Sequence, residues 1–326
     1  MRKILSIFLV ILPLLSVAQF APPAGQEGTT AMHADSSAFV AWATGCVVEP
    51  GPMNITKPGS GLAGSGWPAE NAIGVPSGTY GVTCLGDGGM ATLTFDSPIY
   101  NGPGPDFAVF ENGFANAEDT TVYFLELGFV EVSSDGENFF RFPAVTNVPF
   151  ETQIGSFGCM DPSLIHNFAG KYVAFYGTPF DLDEVDDDPK LNKDSITHVR
   201  IIDVIGSINP EYATFDSEGH IVNDPWPTPF ATGGFDLDAV GVIYDLKHLS
   251  ADENPMESLA VFPNPVRHSL SVKADNVTSM TVCSMSGQQL LSSDSSTIDV
   301  AMLPKGLYLV RVVANGKTMV GKFIKD

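Results

Sequence analysis

The chain has 326 residues, 44% hydrophobic and 17% charged, with 22 Phe; that is length for about two domains and apolar content that excludes a disordered chain. Acids outnumber bases 38 to 16, for a formal charge of −22, which excludes nucleic acid and anionic membranes as natural partners. The 32 Gly and 24 Pro favour turns and short strands over long helices.

In chain order, residues 1–18 read as a signal peptide. Arg2 and Lys3 precede an apolar run over residues 4–15, and Ser16 and Ala18 supply small residues ahead of Gln19. A run of about 12 is too short to span a bilayer, so the chain is expected to be exported, with no membrane span. No Cys follows the cleavage point, which argues against a lipid anchor. Residues 19–248 form the body, 249–258 (LSADENPMES) a polar linker and 259–326 a tail module. Charge marks the same division: residues 20–258 carry 34 acids against 7 bases, and residues 259–326 carry 4 against 7.

The body reads as strands separated by turns. Residues 89–95 (GMATLTF) alternate, with Ala91, Leu93 and Phe95 on one face. Residues 106–111 (DFAVFE) are apolar through their middle and fit a central strand buried on both sides. Residues 124–133, an Asp135-Gly136 turn and residues 139–142 make a hairpin. Further strands are expected at 171–176, 197–205 and 239–244. No body segment keeps a helical period for three turns, so the expected fold is all-β, a two-sheet sandwich. FDLDEV (180–185) echoes FDLDAV (235–240), each placing two Asp at i and i+2.

The tail alternates like a small β-sandwich, with turns marked by Gly287, Gly306 and Gly316. VFPNP, a Gly-Gln turn and LPKGLYLVRV followed by a basic final strand resemble the C-terminal sorting domain of the type IX secretion system. That resemblance implies export to the cell surface or the medium through the type IX machinery, which reads residues 259–326. It makes the tail an address rather than the activity.

For chemistry, the body contains no GxSxG, no HExxH and no CxxC. His198 alternates with Arg200 and reads as a surface or structural residue. Cys46, Cys84 and Cys159 allow one disulfide in any of three pairings, or buried thiols. The acids are the main feature. Calcium takes 6–8 oxygen ligands, many of them carboxylates on loops beside strands. Candidate ligands are Asp106, Glu111, Asp236 and Asp238, whose apolar flanks would bury them, then Asp181 and Asp183; a solvated acidic face is the alternative. Candidate ligand-binding residues are Trp226, Asn223, Asp224 and Trp67, because a flat aromatic beside amide and carboxylate groups suits a sugar ring. The same tryptophans could instead be core.

GWPAENAIGVPSG, LGDGGMATLTFDSPIYNGPGPDFAVFENGF, FVEVSSDGENFFRF, THVRIIDVIG and GGFDLDAVGVIY, in this order, resemble a family of uncharacterised bacterial cell-surface proteins. The order is also similar to galactose-binding-like jelly rolls of the discoidin type, from which residues 143–195 depart as a long acidic insertion. The resemblance implies a surface-displayed β-sandwich in which a structural calcium is frequent; with the acids and loop aromatics above, the expectation is a calcium-stabilised binding protein with a glycan or other small surface ligand, and not an enzyme. Two alternatives stay open: a nutrient-capture accessory of an outer-membrane transporter, for example in cobalamin uptake, and a polysaccharide hydrolase.

Overall fold

The alternation at residues 89–95 becomes the longest strand of the body, Met90–Ile99, in which Ala91 and Leu93 are buried while Thr92 and Thr94 are not fully covered. It belongs to a computed structural model that describes residues 20–326 apart from Pro58, Thr79, 253–258, Asp275, 285–288 and Gly316. The expected signal peptide and most of the expected linker lie outside the described residues. The chain divides into two compact units, Met1–Leu249 and Ser250–Asp326.

In the first unit, one sheet runs in the order Met32–His33, Tyr176–Phe180, Phe107–Glu111, Asp236–Val242, Ala41–Trp42, with Thr83–Cys84 also paired to Asp236–Val242. A second runs Phe140–Arg141, Gly128–Ser133, Ile196–Asp203, Met90–Ile99, Gly45–Glu49. All of these pairs are antiparallel. The main core mixes side chains of both sheets, among them Phe107, Val109, Leu237 and Val240 from the first and Leu93, Val130, Val132 and Ile201 from the second. This is the all-β, two-sheet solution that half-apolar strands require.

Phe107–Glu111 is buried at all five positions. Phe107 and Val109 join the main core, while Phe110 on the other face is covered by the rings of Phe39 and Trp42. The hairpin forms with Val132 opposite Phe140 and Glu131 opposite Arg141. Asp135 sets its turn by accepting from the backbone N–H groups of Glu137 and Asn138, at 2.8 Å each.

Several elements differ from expectation. The strand expected at 171–176 begins only at Tyr176, because Phe175 adopts φ 67° and breaks the extended run. Gly45–Glu49, which carries no strong strand pattern, forms the edge of the second sheet. The two FDLD echoes fold differently. Asp236–Val242 is a strand, whereas Leu182–Glu184 is a single 3-10 turn capped by Asp181. There the backbone N–H of Leu182 donates to Asp106 Oδ2 at 2.7 Å instead of joining a ladder, and Leu182 and Val185, three apart, both enter the core. The acidic insertion builds its own apolar floor: Met160, Ile165 and Phe168 pack with Leu125, Leu127 and Val222. The expected linker starts inside a short helix, Leu246–Asp252; Asp245 accepts from the His248 N–H at 2.7 Å, as an N-cap does.

In the second unit, a three-stranded sheet (Val261–Phe262, Ser269–Val272, Thr297–Asp299) and a four-stranded one (Gln289–Ser293, Val277–Cys283, Gly306–Ala314, Lys317–Lys325) enclose a core that includes Leu270, Val282, Val310 and Phe323. Gly306, expected at a turn, opens the strand Gly306–Ala314; Gly287 and Gly316 lie outside the described residues. All four Cys are free. Among the described residues, no helix is long and apolar enough to cross a membrane.

Candidate functional site

The inner strands of both sheets end at the same place, and acids occupy those ends. Glu111 closes its strand opposite Leu237, one residue after Asp236 opens the neighbouring strand. Asp203 closes the Ile196–Asp203 strand opposite Gly128, with Glu126 just upstream and Asp224 brought in by a loop. All five are buried. Backbone donors hold most of them: Gly113 N–H bonds Glu111 Oε2 at 2.7 Å, Leu127 N–H bonds Asp224 Oδ2 at 3.1 Å, and Gly88 and Phe235 bond the two oxygens of Asp203. Asn112 donates its side-chain amide to Asp236 Oδ2 at 3.0 Å.

Above Glu126, Asp236 and Asn112 opens a cavity of about 400 Å³ walled by Phe114, Phe124, Phe157 and Phe230 and edged by Ser156, Thr228 and Thr232. The four rings form a continuous series. Phe114 stacks on Phe124 at 4.8 Å, Phe124 lies 6.3 Å from Phe157, and Phe157 stacks on Phe230 at 5.9 Å. Phe124 is buried, but Phe114, Phe157 and Phe230 are 54%, 74% and 42% exposed. Grouped exposed rings beside a cavity mark a binding surface more than isolated ones do.

Electrostatically, the floor is a cluster of desolvated carboxyls. Burial, then the charges of Asp236, Glu111, Asp224 and Asp203, hold Glu126 well above the usual carboxylate range. Burial, then Asp236, does the same to Glu111, and burial raises Asp203 and Asp224. Asp236 is pushed up to about 6 by burial, against the lowering effect of hydrogen bonds from the Cys84 thiol and Asn112. Burial and the Asp236 charge push the Cys84 thiol up, so it stays protonated. Glu111 Oε1, Asp224 Oδ1 and Asp236 Oδ1 are buried and receive no hydrogen bond.

The expected metal ligands fall in three places. Glu111 and Asp236 join the cluster. Asp106, buried and pushed up to about 6 chiefly by desolvation, accepts from Gly102 and Leu182 N–H and lies near Asp181 and Asp183. Asp183 accepts from Asn101 at 2.7 Å. Asp238 accepts from the N–H groups of Ser77 and Gly78 and from the Ser77 hydroxyl; a register shift between Leu237 and Ala239 interrupts the ladder there. Among the described residues, no group of three or more His, Cys, Asp or Glu is arranged to hold a metal ion.

The expected ligand contacts also separate. Asn223 is fully buried, and its whole amide is engaged. It accepts from Ile154 N–H and from Gln153 Nε2, and donates to Pro149 O and Thr152 O. No amide atom is left for a ligand, so Asn223 shapes the loop rather than facing solvent. Asp224 belongs to the buried cluster. Trp226 is half-buried with its backbone N–H on Ile154 O at 3.0 Å, and Trp67 is half-buried in a separate turn; neither lines the phenyl cavity.

Glu126, Asp203 and the four Phe are absent from the sequence-derived set. Two of them carried a signal. Glu126 falls in phase with the inward-facing Val130 and Val132, and Asp203 in phase with Val199 and Ile201. An acid on the apolar phase of a strand is a buried carboxyl.

Residues 260–326 match the family described as "Secretion system C-terminal sorting domain". The tail is a type IX sorting domain, and the protein is exported to the cell surface or the extracellular space. No curated protein matches the chain. Among solved structures, one titled "Biofilm associated protein - BSP domain" is similar at 10% identity and a TM-score of 0.19, over 73% of this chain and 48% of that one. The chain spans about half of that neighbour, and a likeness at this level assigns neither a fold family nor a function. The likeness of the body to galactose-binding-like jelly rolls is not shown by these comparisons.

Proposed function

We propose that the protein is a surface-displayed binding protein and that its ligand occupies the phenyl-walled cavity at the end of the body's sandwich. The single observation behind this reading is the series of three exposed Phe rings above a floor of buried acids. Exposing so much ring surface on a secreted chain forfeits burial energy unless a ligand covers it. A glycan suits the arrangement, with apolar sugar faces on the rings and hydroxyls on the carboxyls. The test is a glycan array probed with the full mature chain, alongside Phe157→Ala and Phe230→Ala. Binding lost in both variants at unchanged melting temperature supports the reading; undiminished binding in both removes the cavity from it.

One observation favours a second reading, a polysaccharide hydrolase. Glu126 and Asp236 line the cavity together, and burial raises both, Asp236 to about 6 and Glu126 well above its usual range, the direction a carboxyl that exchanges a proton with a substrate needs. Turnover of reporter glycosides that survives Phe157→Ala but vanishes in both Glu126→Gln and Asp236→Asn would put this reading first.

A further inference from the structure

We propose that the ligand of this cavity carries a positively charged organic nitrogen, seated on Glu126 and Asp236 and flanked by phenyl faces. The inference rests on the binding reading above and names the chemistry of what binds.

Three observations converge on it. Glu111 Oε1 and Asp236 Oδ1 receive no hydrogen bond in residues only 1% and 7% exposed, and Asp236 lines the cavity itself. Buried acceptors without donors are unstable as they stand, and a ligand N–H or ammonium supplies what they lack. Among the described residues, no Lys, Arg or His forms an ion pair with Glu111, Glu126, Asp203, Asp224 or Asp236. A compensating charge therefore comes from protons or from outside the chain. The walls are the third observation. A phenyl face attracts a cation through its quadrupole and offers no hydrogen bond to a neutral polar group. A series of rings beside an acidic floor suits an ammonium.

The same observations separate an organic cation from a bare metal ion. A hard divalent ion needs six or more oxygen ligands or waters around it. Here no described group of three acids is arranged for one, and the space above the floor is bounded mainly by ring carbon. A cavity of about 400 Å³ is also far larger than an ion and within the range of small organic ligands.

The experiment is calorimetric titration of the full mature chain at pH 7.5 with choline, with its neutral isostere 3,3-dimethyl-1-butanol, with cadaverine as a primary amine, with N-acetylglucosamine hexamer and with calcium chloride. Choline or cadaverine should bind at least about tenfold tighter than the neutral isostere, a difference of one desolvated cation–π and carboxylate contact. Glu126→Gln and Phe157→Ala should each weaken that binding about tenfold. Because Phe157 is exposed, its variant tests the ring series without endangering the fold. Equal affinity for choline and its isostere overturns the charge requirement while leaving the cavity as the binding site. Binding of the neutral hexamer alone, lost in Phe157→Ala, has the same meaning. A response to calcium alone, lost in Glu126→Gln, replaces the ammonium by a metal. No response to any probe overturns the inference, and the glycan array then decides separately whether the cavity binds at all.

Discussion

Phe235 donates its backbone N–H to Asp203 Oδ1 at 2.6 Å. Phe235 leads into an inner strand of one sheet and Asp203 ends the middle strand of the other, so this bond fastens the sheets together beside the cavity. The second oxygen takes the Gly88 N–H at 2.8 Å. Asp203→Ala would leave both N–H groups buried without an acceptor, at about 1–3 kcal/mol each. Asp203→Asn keeps one oxygen and should lose markedly less. Urea unfolding of the two variants measures the difference. Equal losses would mean that the charge, not the acceptor pair, is what the site needs.

Stability should also depend on pH in an unusual direction. Burial raises Asp236 from 3.8 to about 6 and carries Glu111, Glu126, Asp203 and Asp224 well above their usual values. Unfolded, the same carboxyls lose their protons near pH 4. Above that pH the folded state holds more protons than the unfolded one, so the free energy of unfolding falls as pH rises. The stabilisation is complete below about pH 4 and is lost through about pH 6 for Asp236, on the order of 2–3 kcal/mol, with further loss above as the glutamates ionise. Melting temperatures without added ligand should therefore decline from about pH 5 to pH 8. Glu126→Gln removes one of these groups and should melt higher than the parent at pH 8 and flatten the curve. A parent curve that climbs between pH 5 and 7 would contradict the assignment of a repulsive floor.

How far the sequence alone reveals this molecule depends on how local the determinant is. DFAVFE announces a strand buried on both faces because every middle residue is apolar, and Asp135-Gly136 announces its hairpin because the turn chemistry lies within four residues. The sorting domain is legible for the same reason. The cavity is not. Its walls come from Phe114, Phe124, Phe157 and Phe230; the first two face each other across a two-residue ladder, the last two lie on connections without a strand period, and only the tertiary fold brings the two pairs together. The echo of FDLD misleads because an i, i+2 spacing places two carboxylates on one face only in extended backbone, and Asp181 caps a turn instead. Asn223 and Asp224 look like solvent-facing loop residues, but the loop turns inward and buries them. Burial of a polar loop leaves no periodic trace.

Asn223 makes that last point testable. Its amide ties residues 149–154 to the loop that carries Trp226, with four hydrogen bonds between 2.8 and 3.1 Å. Asn223→Ala should destabilise the fold by roughly 2–4 kcal/mol, because several buried backbone groups lose their partner at once. It should also weaken ligand binding, since Ser156 and Phe157 of the cavity wall follow directly from this segment. Denaturation and titration of the same variant check both. A variant of normal stability that binds poorly would instead make Asn223 a direct ligand contact.

Gly170 couples fold to site most tightly. It sits at φ +79°, and a Cβ there would lie 1.9 Å from the carbonyl oxygen of Glu126. Gly170→Ala therefore carries two costs. The left-handed backbone alone is worth about 1–2 kcal/mol for an L-residue. The collision adds to it and has to push back the peptide of the residue that forms the cavity floor. Gly25 is the control: it has φ +83° and open space around its Cβ position, so Gly25→Ala carries the backbone cost only. Thermal melts should show a clearly larger drop for Gly170→Ala, and cavity binding should fall in that variant while Gly25→Ala binds normally. Equal melting losses would show that φ accounts for the whole effect. Equal losses with normal binding in both would show that the Glu126 peptide tolerates the displacement.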